Sequence, residues 1–471
     1  MTKTIKIDPV TRIEGHARVF INLDDQGELE SAGLVVNELR GFEKILVGME
    51  ADRMPHITAR ICGVCPTAHH LAACKALDDA CGVTPPPAAT LLRELMYLGH
   101  LIHSHALSIF VLQGPDLVLG VDADPAERNV VGVVKAQPEL AKLGLGIRTL
   151  GQRINEMVGG RGTHPVTSVA GGIAFVIDRE KQRILAGWVE EAERMLEKIV
   201  PAVKSLLFKM LDQHPAMKEK WLVPSWGLGT VLEDGTLSLT SGKLRLIDEQ
   251  GKSRAEFQAR EYDQYLVESV VEWSYMKKVA CQVEGLHDYR VGPLARINLA
   301  GRLGTERAEA ERTELFKLGR SPSHSTLMQT YAKLIEIIWA VERAGIILRD
   351  PELFGETRVP VKFRGGRGVG HLEAPRGTLF HDYEIDEGGI VRAANLIIAT
   401  QQNYALINSS VEQAARSHVA GRTDDAALLN AVEFGIRCYD PCLACATHLL
   451  GGMAMQVVIT RGGETVRTFG R

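Results

Sequence analysis

Along the first 36 residues apolar and polar positions alternate around Asp24-Asp25-Gln26-Gly27, the pattern of an antiparallel hairpin with one wet face. From Pro87 the period lengthens. Ala88 to Leu112, Gln137 to Val158 and Lys181 to Leu211 each place apolar residues at i, i+3, i+4 and i+7, which predicts long helices burying one stripe. Trp226 to Arg260 returns to strand-like alternation, with turn signals at Asp234-Gly235 and Asp248 to Gly251. Helical spacing resumes at Glu261 to Val279, His324 to Leu348 and Asn395 to Ala415. Between the last two, Arg358 to Val391 reads as short strands, and a final helix is predicted over Asp424 to Arg437. The expected fold class is therefore α+β: a central bundle of long helices with small peripheral β layers. The chain divides into an opening β segment (1–86), a bundle (87–225), a β excursion (226–260), a mixed region (261–448) and a tail (449–471). In the tail, Gln456 to Thr460 and Glu464 to Phe469 read as two strands turned by Gly462-Gly463.

Composition narrows the function. With 45% hydrophobic and 24% charged residues over 471 positions, the chain can bury a sizeable core. A formal net charge of −4 without a long basic run disfavours nucleic acid and anionic membrane as partners. The most apolar stretch, Tyr97 to Leu112, contains His100, His103 and His105 and is too short and too polar for a membrane span. It is expected to be a buried helix, its histidines hydrogen-bonded core groups rather than ligands. Met1 to Asp8 lacks the apolar region of a secretory signal. Gly365-Gly-Arg-Gly368-Val-Gly370 has the wrong spacing for a dinucleotide fingerprint and reads as a flexible loop, so NAD is not expected to bind this chain.

Chemistry concentrates at the two ends. Arg60-Ile-Cys62-Gly-Val-Cys65-Pro-Thr-Ala-His69 lies near the start, and Asp440-Pro-Cys442-Leu-Ala-Cys445-Ala-Thr-His448 near the finish. A Cys-x-x-Cys pair sets two thiolates on one turn of backbone, and two pairs make a four-sulfur site for a soft or borderline metal. Zinc, an iron–sulfur cluster, and a nickel or nickel–iron centre are all compatible with thiolates. A small zinc module closes its two knuckles locally, whereas these motifs tie together opposite ends of a large chain. That suits a catalytic centre better. The other four cysteines, Cys74, Cys81, Cys281 and Cys438, lack disulfide-like spacing and are expected to be reduced thiols.

Together the two motifs resemble those of nickel-iron hydrogenase large subunits. Asp8-Pro-Val-Thr-Arg12-Ile-Glu14-Gly-His16, Arg40-Gly-Phe-Glu43, Gly159-Gly-Arg-Gly-Thr-His164-Pro165 and Glu373-Ala-Pro375-Arg376-Gly377 resemble further landmarks of that family, in its order. Val271 to Lys277 and Arg290 to Asn298 look like its cytoplasmic, NAD-reducing branch. The resemblance implies that Cys62 and Cys442 are terminal nickel ligands, while Cys65 and Cys445 bridge to an iron carrying carbon monoxide and cyanide. It implies that Glu14 relays protons beside Cys442; the residues alone favour instead a surface pair of Glu14 with Arg12. Arg376 is implied above the open metal position, held by Asp116 and Asp440. Pro375 would line the site, Thr400 would hydrogen-bond a cyanide, and His69 would donate to the sulfur of Cys445. Glu43 and His448 would hold a magnesium-like ion, or iron.

Heterolytic cleavage of dihydrogen needs an electrophile and a nearby base, and a thiolate-ligated metal supplies both. Having no further cysteine set, this chain would pass electrons to a small subunit with iron–sulfur clusters, then to diaphorase subunits carrying FMN and binding NAD. Two rivals share the fold: a hydrogen-sensing regulatory protein, and the quinone-site subunit of respiratory complex I, which lacks the four thiolates. The resemblance also implies that a maturation peptidase removes 449–471 just after His448, and that the complex is cytoplasmic.

Overall fold

In a computed structural model the described residues are 3–36, 38–39, 41–318, 321–418, 426–447, 457–461 and 464–469. The helical pattern is met closely. The expected helices appear as Pro87–Ala106, continued by a wider turn over Leu107–Leu112, then Pro138–Gly159, Arg179–Gln213 and Met328–Arg349. Arg179–Gln213 is amphipathic: Leu185, Val189, Ala192, Leu196, Ile199, Val203, Leu207 and Met210 are buried at three- and four-residue spacing, and Asp178 caps its first turn by accepting from Lys181 N at 2.8 Å. Met328–Arg349 is buried nearly all round, which makes it the axis of the bundle. Pro87–Ala106 crosses Pro138–Gly159 with backbones almost touching. A Cβ at Gly99 would lie 2.7 Å from Gly151 O, and one at Gly151 would lie 2.6 Å from Gly99 O. Among the described residues Pro87–Leu112 alone is long and apolar enough to cross a membrane, and 72% of its most apolar window is inside the protein.

The β layers lie around this bundle. Lys3–Ile7, Ala17–Leu23 and Leu29–Val36 form an antiparallel sheet, so the predicted hairpin gains a strand in front of it. The predicted excursion is the sheet of Trp226–Val231, Lys243–Ile247 and Ser253–Phe257, with Tyr289–Arg290 added in parallel. Gly366–Ala374, Gly377–Ile385 and Val391–Ile397 form a third, antiparallel sheet. In the tail, Val457–Arg461 pairs with Glu464–Phe469 as the two strands expected there.

Three expectations need correction. The predicted helix over Glu261 to Val279 is a short turn, Tyr262–Tyr265, followed by a hairpin of Leu266–Val271 and Ser274–Gln282. β-Branched Val267, Val270, Val271 and Val279 favour the pleated form, and burial alternates at Ser274, Met276 and Cys281 against half-buried Tyr275 and Ala280. The helix expected from Asn395 begins only at Ala399, because Val391–Ile397 completes the third sheet; it then breaks between Gln402 and Tyr404. The glycine run is not a flexible loop. It is the strand Gly366–Ala374, whose small residues let the helix Pro66–Ala80 lie directly on the sheet: a Cβ at Gly368 would collide with Ala76 O, and one at Gly370 would collide with Ala72 O.

One buried apolar cluster draws residues from Ile7 at the start to Ala446 at the end. The contact between Gly370 and the helix behind Cys65 is part of the same packing. Gly370→Ala is expected to destabilise the chain by about 3 kcal/mol, since carbonyl and amide backbone cannot yield to a methyl. A urea midpoint indistinguishable from that of the unsubstituted chain would show that this packing is looser than described.

Candidate metal centre

Cys65 stands at the head of the helix Pro66–Ala80, with Pro66 in the first turn where its missing N–H costs nothing. Cys62 precedes it in extended conformation, after the short helical turn Ala59–Ile61. The second motif is delivered by the helix Ala426–Tyr439, which turns sharply at Asp440 (φ 52°). Cys442 then heads the short helix Leu443–Ala446. The two ends of the chain are stitched side by side. Glu14 and Cys442 form a parallel bridge, Leu443 N donates to Glu14 O at 3.2 Å, and Gly15 (φ 84°) leaves no room for a Cβ, which would sit 2.8 Å from that of Leu443.

All four sulfurs are buried and lie within 4.8 Å of one another, the one such cluster of potential metal ligands among the described residues. Cys62 Sγ is 3.2 Å from Cys442 Sγ, Cys65 Sγ is 3.3 Å from Cys445 Sγ, and Cys442 Sγ is 2.8 Å from Cys445 Sγ. Hydrogen bonds from Cys442, Cys445 and Cys62 pull the Cys65 thiol well below its ordinary range, whereas burial pushes Cys442 and Cys445 up. By contrast Cys74, Cys281 and Cys438 are pushed up to about 12, chiefly by burial, as inert core thiols are.

Against the sulfurs lies a small cavity walled by Ala68, His69, Pro375, Arg376, Thr400 and the cysteines Cys65, Cys442 and Cys445. Pro375-Arg376 is the two-residue turn between the paired residues Ala374 and Gly377. Arg376 donates through Nε to Asp440 O at 2.5 Å and through Nη2 to Asp440 Oδ1 at 3.1 Å. Burial opposes its charge, but Asp440 and the thiolates of Cys442, Cys65 and Cys62 outweigh that and hold its pKa above the ordinary value. Arg376 Nη1 and Asp440 Oδ2 remain buried without a protein partner. Thr400 Oγ1 accepts from Cys442 N at 3.0 Å, which leaves its own proton for an acceptor in the cavity. Four convergent thiolates, a fixed guanidinium with an unused donor and a hydroxyl proton fit a compact thiolate-held metal group bearing hydrogen-bond acceptors.

The turn is braced from below. Arg296 donates to both oxygens of Glu336 at 2.7 Å, to Glu373 Oε2 at 3.0 Å and to Ala374 O at 2.9 Å, all fully buried. Neither Arg296 nor Glu336 stands out in the motifs, although one glutamate inside the apolar run Leu334 to Trp339 signals a buried partner.

Glu14 is half-buried, and its Oε2 accepts from Ala444 N at 3.0 Å, one turn from the sulfurs; it does not pair with Arg12. Arg12 instead makes a two-toothed bond to Asp116 at 2.8 Å. The expected grip of Asp116 on Arg376 is not found. Asp116 is taken by Arg12, by Arg437 at 2.9 Å and by Asn430 at 2.9 Å, so it ties the amino-terminal loop to the helix that carries Cys442. His69 lines the cavity together with Cys65 and Cys445, and its Nδ1 sits 3.0 Å from His381 Nε2. Glu43 is buried beside Lys277 (3.4 Å) and accepts from Leu396 N at 2.9 Å; burial raises its carboxyl, with Lys277 opposing. His448, expected beside it, lies outside the described residues. Of the three bundle histidines, His105 bonds Glu336 at 2.8 Å, and burial lowers His100 to about 3 and His103 to about 4, as befits core groups.

An α+β scaffold that brings two Cys-x-x-Cys pairs from its opposite ends onto one enclosed, arginine-capped cavity defines a thiolate metalloprotein with a catalytic rather than a structural centre. The chain belongs to the nickel-dependent hydrogenase family, which it matches over residues 40–142 and 230–448, with a HoxL-like match over 4–39. It is a nickel–iron hydrogenase large subunit. It is similar to the F420-non-reducing hydrogenase vhu of Methanococcus voltae, one polypeptide of which is 43% identical over 87% of this chain and 98% of its own length. The NAD-reducing hydrogenase HoxS subunit beta of Cupriavidus necator is 37% identical over 98% of this chain and 97% of its own length. The solved structure of an NAD+-reducing [NiFe]-hydrogenase in the H2-reduced state superposes with a TM-score of 0.91 at 40% identity, covering 95% of this chain and all of that one.

Proposed function

We propose that this chain cleaves dihydrogen heterolytically and reversibly, passing electrons through iron–sulfur and flavin-bearing partner subunits to NAD in a cytoplasmic complex. The observation that carries the reading is the enclosed set of four sulfurs facing the unused Nη1 of Arg376. When bound, a nickel–iron group with carbon monoxide and cyanide on iron supplies a Lewis acid beside a basic sulfur. Cys62, Cys65, Cys442 and Cys445 would hold it. The Cys442 sulfur takes the proton, and Glu14, anchored one turn away at Ala444, is its next station. Arg376, fixed by Asp440, offers a donor over the reacting position, and Pro375 and Thr400 close the cavity around the diatomic ligands. Glu43 and His448 hold a magnesium-like ion, or iron; two carboxylates, Glu43 and Glu268, around the single ammonium of Lys277 leave a negative charge that suits one.

NAD as acceptor is supported by the HoxS relative and by the superposed NAD+-reducing enzyme. The 43% identity to an F420-non-reducing hydrogenase favours a second reading, in which the same centre serves an acceptor other than NAD. Either way electrons leave through a partner, since Cys74, Cys81, Cys281 and Cys438 form no ligand cluster among the described residues. The complex isolated from cells is expected to contain nickel, with iron in excess of it because the partner clusters add their own, to show carbonyl and cyanide infrared bands, and to reduce NAD with hydrogen. Absence of those bands would sink the assignment of the centre; bands without NAD reduction would favour the second acceptor reading.

Residues 449–471 are a maturation peptide cut after His448 by a nickel-dependent peptidase, a reading supported by the family match ending at residue 448. The intact mass of the active chain is expected to stop there; full activity with Arg471 retained would refute it. For the proton route, Glu14→Gln keeps the acceptor for Ala444 N but cannot carry a proton. It is expected to retain both metals while hydrogen–deuterium exchange with water collapses, and undiminished exchange would remove Glu14 from the path.

A further inference from the structure

Four consecutive carbonyls, from Glu373 to Arg376, are each held by a side chain. Glu373 O accepts from the Tyr97 hydroxyl, Ala374 O from Arg296 Nη1 at 2.9 Å, Pro375 O from Arg296 Nη2 at 3.4 Å and Arg376 O from Asn403 Nδ2 at 3.4 Å. Distant stretches of chain thus converge on the turn that carries Arg376. Gly292 makes the approach possible: at φ 98° it precedes the helix Pro293–Leu299, which carries Arg296, and a Cβ there would lie 2.6 Å from Arg376 O.

Arg296 is used to its limit. A guanidinium offers five N–H donors, and all five have acceptors here. Nε donates to Glu336 Oε1 and Nη2 to Glu336 Oε2, both at 2.7 Å. The remaining donors reach Glu373 Oε2 at 3.0 Å, Ala374 O and Pro375 O, on consecutive residues leading into Arg376. The partners are themselves fixed. Glu336 is fully buried and also meets His105 Nε2 at 2.8 Å, while Glu373 Oε1 accepts from Thr230 Oγ1 at 2.8 Å and from Thr378 Oγ1 at 2.9 Å. Thr378 faces Glu373 across the hairpin, so this last bond ties together the strands on either side of the turn. A buried ion pair that served stability alone would need Glu336 and nothing more; here the rest of the fork goes to the turn.

We propose that Arg296 is a positioning residue for hydrogen cleavage: its planar fork fixes the backbone from which Arg376 enters the cavity, while Asp440 fixes only the far end of that side chain. Arg296 does not wall the cavity and acts through Arg376. Lysine cannot replace it, because an ammonium carries three donors on a flexible stem and no fork. Drift of a catalytic donor by about 1 Å costs on the order of 100-fold in rate.

The proposal rests on the reading of Arg376 as the donor over the reacting position, and a double-substitution cycle in the complete enzyme separates the two. At matched nickel content, hydrogen turnover with a dye as acceptor is measured for Arg296→Lys, Arg376→Lys and the pair, and the thermal midpoint is followed alongside. Arg296→Lys is expected to lower turnover roughly 100-fold when Arg376 is intact. In the Arg376→Lys background it is expected to lower turnover by no more than about 2-fold, while the thermal midpoint falls equally in both. A merely structural role would cut turnover by the same factor in the two backgrounds; that result, or undiminished turnover in Arg296→Lys, would overturn the proposal. Should Arg296→Lys fail to retain nickel, Glu336→Gln takes its place in the cycle, since it loosens the two-toothed hold on Arg296 yet leaves Glu373 to match the guanidinium charge. The same non-additivity is expected, and equal losses would again refute the role of Arg296. Full turnover in Arg376→Lys would instead sink the reading of Arg376.

Discussion

Four sulfurs from the two ends of one chain meet at a single buried point, and their negative charge has to be enclosed without water. Burial and the neighbouring sulfurs raise Cys442 and Cys445, so the cluster is stable as thiolates only where cations answer it. Arg376 is that cation within the protein, and a bound metal completes the balance. Much of the surrounding construction serves this constraint. Arg296, Glu336 and Glu373 lock the turn that carries Arg376, and Asp440 fixes the guanidinium from the other side.

A second consequence is that the amino and carboxyl segments must be joined before the site exists. Asp116 does this work, with Arg12 from one end and Arg437 from the other sharing its fully buried carboxylate. Taking away one member of such a group leaves buried charges unanswered and costs about 3–5 kcal/mol, far more than a surface pair contributes. The role that resemblance suggested for Asp116, a direct grip on Arg376, is thereby replaced by an indirect one: it holds the helix whose end presents Asp440 and Cys442.

Periodicity made the long helices legible because each buries a stripe of its own, and this local requirement is written every three or four residues. It failed where the neighbour mattered more. Over 266–282 the spacing of apolar residues satisfies a helix nearly as well as a hairpin, and sheet pairing with alternate burial decided the outcome. Gly366 to Gly370 looked like a loop because glycine usually marks freedom; here it marks a helix lying on a strand, which only the contact between Gly370 and Ala72 reveals. Likewise the spacing that places His69 one turn beyond Cys65 could not show that its ring meets His381 on a distant strand.

By itself the sequence determined the α+β class, the helical bundle, the four ligand sulfurs and the residues Glu14, Arg376, Asp440 and Thr400 that gather near them, because ligand chemistry and helical period are carried by residue type and short spacing. The tertiary structure alone decided which charges pair across hundreds of residues, that Asp116 belongs to Arg12 and Arg437, that Arg296 braces the arginine turn, and that His381 meets His69. Those are relations between distant segments, set by how the helix Pro66–Ala80 lies on the strands Gly366–Ala374 and Gly377–Ile385, and no local pattern in either segment encodes the angle and depth of that contact.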